Sequence, residues 1–360
     1  MWHLSCENAV KWLRRVGLGD DPSARVEALS GGVSGIVLRV EVGGRWIVLK
    51  QACAQLRTRE AWFSDPSRIF REQEVMDLLQ PLLPTHAIPR VLFIDRERGV
   101  LAMEHAPEGA TPWKARLLAG ELDPRIASQA GRLLGMIHRV TAARRAELSH
   151  LEERSVFVQL RVDPFYRKIQ ERHPDLAGAI EPLVEGMMTR TDALCHGDFS
   201  PKNLLAQGRE GEAPAEPCGS LVRGEDDANL TLVDHETAHL GDPAMDVGFF
   251  FSHLVLKAMR SPTRWAEWNE LIHAALQGYG DEAPSLADID RRSLAHLAVC
   301  LLARVDGTSP VDYLPDEPTR DAVRSLGRGL LLEPVENWNA ALDRVPLAHG
   351  REVHLGLGKG

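Results

Sequence analysis

Residues 25–50 constrain the fold of this chain most. The segment "RVEALSGGVSGIVLRVEVGGRWIVLK" alternates apolar and polar residues with a period of two, broken at Gly31-Gly32 and Gly43-Gly44. Side chains of a strand point to opposite faces in turn, so the pattern predicts three short strands. Gly43-Gly44 offers the two positive-φ residues of a tight hairpin. A helix is expected from about Asp65, with Pro66 at its first position, where a missing N–H is tolerated. Ile69, Val75, Met76 and Leu79 give that helix an apolar face. "RVLFIDRERGVLAMEHA" then reads as two more strands around a charged turn.

The remaining pattern divides the chain in two. Ala9, Trp12, Leu13 and Val16 recur at helical spacing and form one face of an N-terminal helix. Residues 1–105 are therefore expected to form an N-terminal lobe, a five-stranded antiparallel sheet with one inserted helix. Residues 106–360 form a mostly helical C-terminal lobe, with helical stretches near 155–189, 244–278, 287–304 and 318–332 and a strong amphipathic helix in "PRIASQAGRLLGMIHRVTAARRA". Two short strands, "NLLA" and "LTLVD", interrupt the helices. Between them, residues 207–229 are rich in Gly, Pro and acids without periodicity and read as a flexible insertion in a hairpin. The tail "LAHGREVHLGLGKG" reads as loosely ordered. The expected class is α+β, with two lobes.

Composition narrows the function. Apolar residues make up 44% and charged residues 26%, as in an ordinary globular protein. The formal charge is −9 and no basic stripe is present, so no nucleic-acid partner is expected. No apolar run reaches the roughly 18 residues of a membrane span, and the N-terminus lacks the apolar core of a secretion signal. Five scattered cysteines without a C-x-x-C pair fit reduced thiols and a cytoplasmic location. The pattern sets no oligomeric state.

The segment "TLVDHETAHLGDP" carries two readings. His235-Glu236-Thr237-Ala238-His239 matches H-E-x-x-H, which binds zinc when both histidines share one face of a helix. The approach through Thr231 and Val233 is strand-like, however, and Gly241-Asp242-Pro243 stops any helix early. Asp234 and Glu236 instead make a pair of carboxylates suited to magnesium, an ion usually shared with substrate phosphates. Phosphoryl transfer needs several further parts. Gly32, Val33, Ser34 and Gly35 lie in a glycine-rich turn whose backbone N–H groups can approach phosphate oxygens. Lys50 ends the third strand and can reach phosphates if an acid holds it. Glu72 shares the inward face of the following helix, while Glu74 falls toward solvent. In "CHGDFSPKNLL", Asp198 and Asn203 lie on one loop, where Asp198 can orient a hydroxyl and accept its proton and Asn203 can bind magnesium with Asp234. His196 braces that loop.

"HGDFSPKN" followed by "VDHE" resembles the aminoglycoside phosphotransferase and choline kinase-like superfamily, which has a protein-kinase-like fold. "VLKQA", the D-x-E of Asp234 and Glu236, and "MDVGFF" are similar to segments of the 5-methylthioribose kinases. The resemblance implies an ATP- and Mg2+-dependent kinase that phosphorylates a hydroxyl of a small molecule, a sugar or thiosugar. It also implies a hinge at "MEHA", where backbone groups of Glu104 and Ala106 meet adenine. Arg304 matches one of a pair of arginines that contact the sugar, but Ala303 stands where its neighbour is expected. The catalytic loop F-S-P-K-N is closer to the wider phosphotransferase family, so an aminoglycoside acceptor is the alternative. A nucleotide-binding module without activity is a third reading. Asp246 resembles a buried aspartate that ties down the catalytic loop.

Overall fold

The computed structural model describes residues 2–21, 23–29, 35–56, 62–207, 230–283 and 289–348. Five strands form the first lobe: β1 (Val26–Ala28), β2 (Gly35–Val42), β3 (Arg45–Ala52), β4 (Val91–Asp95) and β5 (Val100–Glu104). They pair antiparallel in the order β1-β2-β3-β5-β4. Gly43 and Gly44 turn the β2–β3 hairpin with φ of +55° and +74°, values that side-chain-bearing residues rarely adopt.

The alternation of the strands sorts the two faces of the sheet. Ile47 and Leu49 of β3 and Val100 and Ala102 of β5 pack with α1 (Ala9–Arg15), whose Ala9, Trp12 and Leu13 are buried. Trp12 also donates its indole N–H to Asp95 at 2.9 Å. The larger of these, Leu13, Ile47, Leu49 and Val100, each contribute roughly 2 kcal/mol through burial. Ala52 of β3 and Leu101 and Met103 of β5 face the other way, into the core shared with α2 (Arg68–Leu79). Lys50 lies two residues before Ala52, so the period of two aims it at the face that α2 covers.

The helix α2 starts at Arg68, three residues later than expected. Asp65 and Pro66 belong to a preceding turn, in which the Asp65 carboxylate accepts from the Ser67 N–H at 2.8 Å.

The second lobe is built of helices. The longest, α4 (Pro124–Ala142), follows the short α3 (Trp113–Ala119). Where one helical stretch over 244–278 is expected, the structure has two, Pro243–Arg260 and Trp265–Glu282. Pro262, which has no N–H, sits at the break. The stretch near 155–189 contains a wide-turned π-helix, Val158–Arg167, with Pro164 inside it, and breaks again before Ala177–Thr189. A helix at Trp338–Ala348 reaches into the segment expected to be loosely ordered. Strands Leu204–Ala206 and Leu230–Leu232 pair antiparallel, as a hairpin requires. Residues 208–229 of the expected insertion and 349–360 of the tail lie outside the described residues. No helix among those described is long and apolar enough to cross a membrane.

Candidate active site

The two lobes meet at a buried cluster of charges. Lys50 Nζ lies 2.6 Å from Glu72 Oε2 of α2 and 2.5 Å from Asp234 Oδ1, which follows the strand Leu230–Leu232. Glu236 Oε2 is 3.8 Å from the same ammonium and 3.0 Å from Arg68 Nε. Asp234 adopts a left-handed backbone, φ +71°, which aspartate tolerates better than most residues. That turn reverses the chain into the short 3₁₀ helix His235–Thr237.

The electrostatics follow from burial and crowding. Burial opposes the charge on Lys50, but Asp234, Glu72 and Glu236 hold its value well above that of a free lysine. Burial also opposes the charge of Asp234, yet Lys50 and Lys202 outweigh it and keep the group well below the carboxylate range. Glu72 moves the opposite way. Burial, with Asp234 and Glu236 nearby, pushes it up to about 7 against the pull of Lys50.

The loop bearing Asp198 is tied down from several directions. It leaves a short strand, Ala193–Cys195, that pairs with His239–Gly241. Gly197 has φ +75°, and a Cβ there would lie 2.8 Å from Thr237 O, so glycine is required. The fully buried Asp246, in the first turn of the helix Pro243–Arg260, accepts from His196 N at 2.5 Å and Gly197 N at 2.8 Å. Burial pulls His196 below the ordinary histidine value, which favours the neutral ring. One ring nitrogen accepts from Asp198 N at 3.2 Å, and the other donates to Val233 O at 3.3 Å. Asn203 Nδ2 donates to Asp198 O and Oδ2 at 3.0 and 2.9 Å. Lys202 Nζ stands 3.8 Å from both Asp198 and Asp234.

Sequence reasoning missed one partner of Asp198. Arg161 Nη2 lies 2.6 Å from Asp198 Oδ1, and its Nε donates to Gly197 O at 2.7 Å. Arg161 comes from the π-helix, whose wide turns no motif announces. Arg68, the first residue of α2, was also missed, because the pattern starts that helix at Asp65 and gives Arg68 no inward-facing role. Arg304 is brought to this end of the molecule, where Asp198 and Arg161 both affect its charge, and it donates to Ser309 O at 2.7 Å. Glu104 ends β5, and the chain passes through Ala106 into the second lobe. Gly35 opens β2, where a Cβ would fall 2.5 Å from Gln51 O. Gly32, Val33 and Ser34 lie outside the described residues.

The oxygens of Glu72, Asp234 and Glu236 fall within 4.8 Å of one another. With Asn203 nearby through the Val233 N–H to Asn203 O bond of 3.0 Å, the donor set is oxygen-only. Such donors fit a hard divalent cation such as magnesium. The zinc pattern does not assemble. His235 sits in the 3₁₀ helix and His239 in a strand, and each ring bonds a carbonyl of its own segment, Leu232 O and Thr237 O. His239 also stacks on Phe157 at 3.9 Å.

A small antiparallel sheet lobe on a helical lobe, with the charged loops at their junction, is a protein-kinase-like architecture. The family model for the phosphotransferase enzyme family, APH, matches residues 25–214, more than half of the chain, and the chain belongs to that family. Among curated proteins, it is 23% identical over 283 residues to the methylthioribose kinase of Exiguobacterium sibiricum. That match covers 70% of this chain and 66% of the relative, just under two thirds of its length. Among solved structures, a Plasmodium vivax ethanolamine kinase has a TM-score of 0.49 at 11% identity, covering 94% of this chain and 87% of that one. The APH(2")-IIa of a streptomycin–ATP ternary complex has a TM-score of 0.47 at 15% identity, covering 92% and 97%.

Proposed function

We propose that the protein transfers the γ-phosphoryl group of ATP to a hydroxyl of a small, sugar-like molecule. One observation carries the reading: Lys50 joins Glu72 of α2 to Asp234 in a single ion cluster, while Asp198 and Asn203 share the neighbouring loop. In this reading residues 1–105 hold the nucleotide and residues 106–360 hold the acceptor. Gly32, Val33, Ser34 and Gly35 cover the phosphates, and backbone groups of Glu104 and Ala106 meet adenine. Lys50, held by Glu72, contacts the phosphates. Asp234 and Asn203 hold magnesium, with Glu236, braced by Arg68, as a further carboxylate. Bound there, the ion neutralises charge on the phosphoryl oxygens. Asp198 accepts a hydrogen bond from the acceptor hydroxyl and aims its oxygen at the γ-phosphorus. Arg161, Asn203 and His196 hold Asp198 for that task. The P–O bond to the acceptor forms as the bond to the leaving ADP breaks, and the hydroxyl proton passes to Asp198. Arg304 contacts the acceptor.

A sugar or thiosugar acceptor is supported by the likeness to a methylthioribose kinase. The four described cysteines are free thiols, which supports the cytoplasmic location. The test is incubation with ATP and Mg2+ against a panel of sugars, thiosugars, sugar acids, sugar phosphates, amino alcohols and aminoglycosides, read by mass spectrometry. A phosphorylated product from a sugar-like alcohol is expected. ATP binding with no product across the panel would assign the chain to the non-catalytic class instead.

A further inference from the structure

The helical lobe carries a second group of charges, and it is almost all positive. Lys114 opens α3, with its backbone N–H on Pro201 O of the Asp198 loop at 2.8 Å. Lys257 lies on the helix Pro243–Arg260 and is 1% exposed. Two aromatic rings gather the cations. Lys257 and Lys114 stand over Tyr313 at 5.2 and 5.7 Å, and Arg161 and Arg304 over Phe165 at 5.7 and 5.9 Å. Arg161 alone is neutralised, by Asp198. Among the described residues, Lys114, Lys257 and Arg304 have no carboxylate within 4 Å, although the exposed Asp312 influences Lys114 from farther away. Lys257 has one hydrogen bond, to His253 O at 2.9 Å.

Three buried polar atoms in the same region have no partner: Tyr313 Oη, Arg304 Nε and His253 Nε2. A buried cation without a counter-charge costs several kcal/mol, and unpaired polar atoms add to that cost. Burial, then Lys114 and Arg304, accordingly pull Lys257 well below the ordinary lysine value. The Tyr313 ring and the His253 carbonyl offset part of this cost, and a ligand anion would offset the rest.

We infer that Lys114, Lys257, Arg304 and Tyr313 form an anion site beside Asp198, and that the acceptor is an anionic alcohol, a molecule carrying a carboxylate or phosphate besides the hydroxyl that is phosphorylated. The inference rests on the reading of Asp198 as the acceptor's hydroxyl site. It separates this chain from phosphotransferases for polycations, because three uncompensated cations repel an ammonium-rich acceptor. It also asks for more than a neutral thiosugar.

The test uses the full chain saturated with ADP and Mg2+, so that the nucleotide site is already filled. Inorganic phosphate and acetate are then titrated at constant ionic strength, with thermal unfolding as the readout. Phosphate, acetate or both should raise the Tm of the wild type above the rise given by chloride, and the stronger of the two names the anionic group. Lys257→Met should unfold at a higher temperature than wild type without added anion, because a buried uncompensated charge is gone. Its apparent anion affinity should fall at least fivefold. Lys114→Gln, at a half-buried position, should show the same loss of affinity and serves if Lys257→Met fails to fold. An equal anion response in wild type and variants, or none in wild type, overturns the anion site. Failure to bind ADP would overturn the kinase reading itself and is seen before any anion is added.

Discussion

At Lys50, one ammonium group stands against three carboxylates, one from α2 and two from the turn that follows the strand Leu230–Leu232. Its removal leaves buried acids without a counter-charge, a change that costs about 3–5 kcal/mol. Lys50→Met should therefore lower the urea midpoint strongly at about pH 8 and less at about pH 5.5, where the freed carboxylates take up protons. Added Mg2+ should restore part of the loss. An equal loss at both pH values would contradict the crowding described. Buried histidines set a second pH dependence. Burial pushes His239 and His296 each down to about 4, so the folded protein resists their protonation. Their contribution is complete above the unfolded value of about 6.5 and is lost as the pH falls toward 4, roughly 2 kcal/mol apiece by pH 5. Chemical denaturation at pH 7 and pH 5 should show the drop, and superposed curves would exclude it. At this scale the sequence was informative where chemistry is concentrated in a short motif. Asp198 and Asn203 share a loop, and helical spacing was enough to choose Glu72 over the solvent-facing Glu74. It was silent on Arg161, because only a π-helical path brings that side chain to Asp198.

Helices and strands hold these residues through close approaches that the sequence shows only as glycines. Gly131 of α4 and Gly278 of the helix Trp265–Glu282 face each other's helix: added Cβ atoms would lie 2.0 Å from Ala275 O and 2.1 Å from Ser128 O. Both neighbours are backbone and cannot rotate away. Gly278→Ala should therefore push the helices apart and lower the stability by about 1–3 kcal/mol, whereas helix propensity alone would raise it by up to about 1 kcal/mol. The sign of the change in Tm decides between the two effects. Periodicity located the five strands of the sheet and most of the helices. It misplaced the start of α2, since Pro66 suits a turn as well as a first helical position. It also ran two helices together across Pro262. The strands Ala193–Cys195 and His239–Gly241 are three residues each, too short for alternation to register.

Across the whole molecule, the order of the motifs made the architecture legible. A glycine-rich turn, a strand lysine, a helix glutamate and the two acidic loops follow one another as a sheet lobe on a helical lobe requires, and the family model covers all of these but the last loop, ending at residue 214. The cations of the helical lobe were not legible in this way. Lys114, Arg161, Lys257 and Arg304 come from four distant helices; the family resemblance singles out Arg304, while each of the other three alone looks like an ordinary surface charge. Only the packing of that lobe gathers them. The central claim, that Asp198 positions the acceptor hydroxyl while the Lys50 cluster holds the nucleotide, divides binding from chemistry. It is tested most directly by Asp198→Asn, measured for ATP affinity by calorimetry and for turnover with the acceptor that the product screen identifies. The account predicts ATP affinity close to wild type and turnover lower by about 10²–10⁴-fold, and turnover retained at the wild-type rate in a folded variant would contradict it.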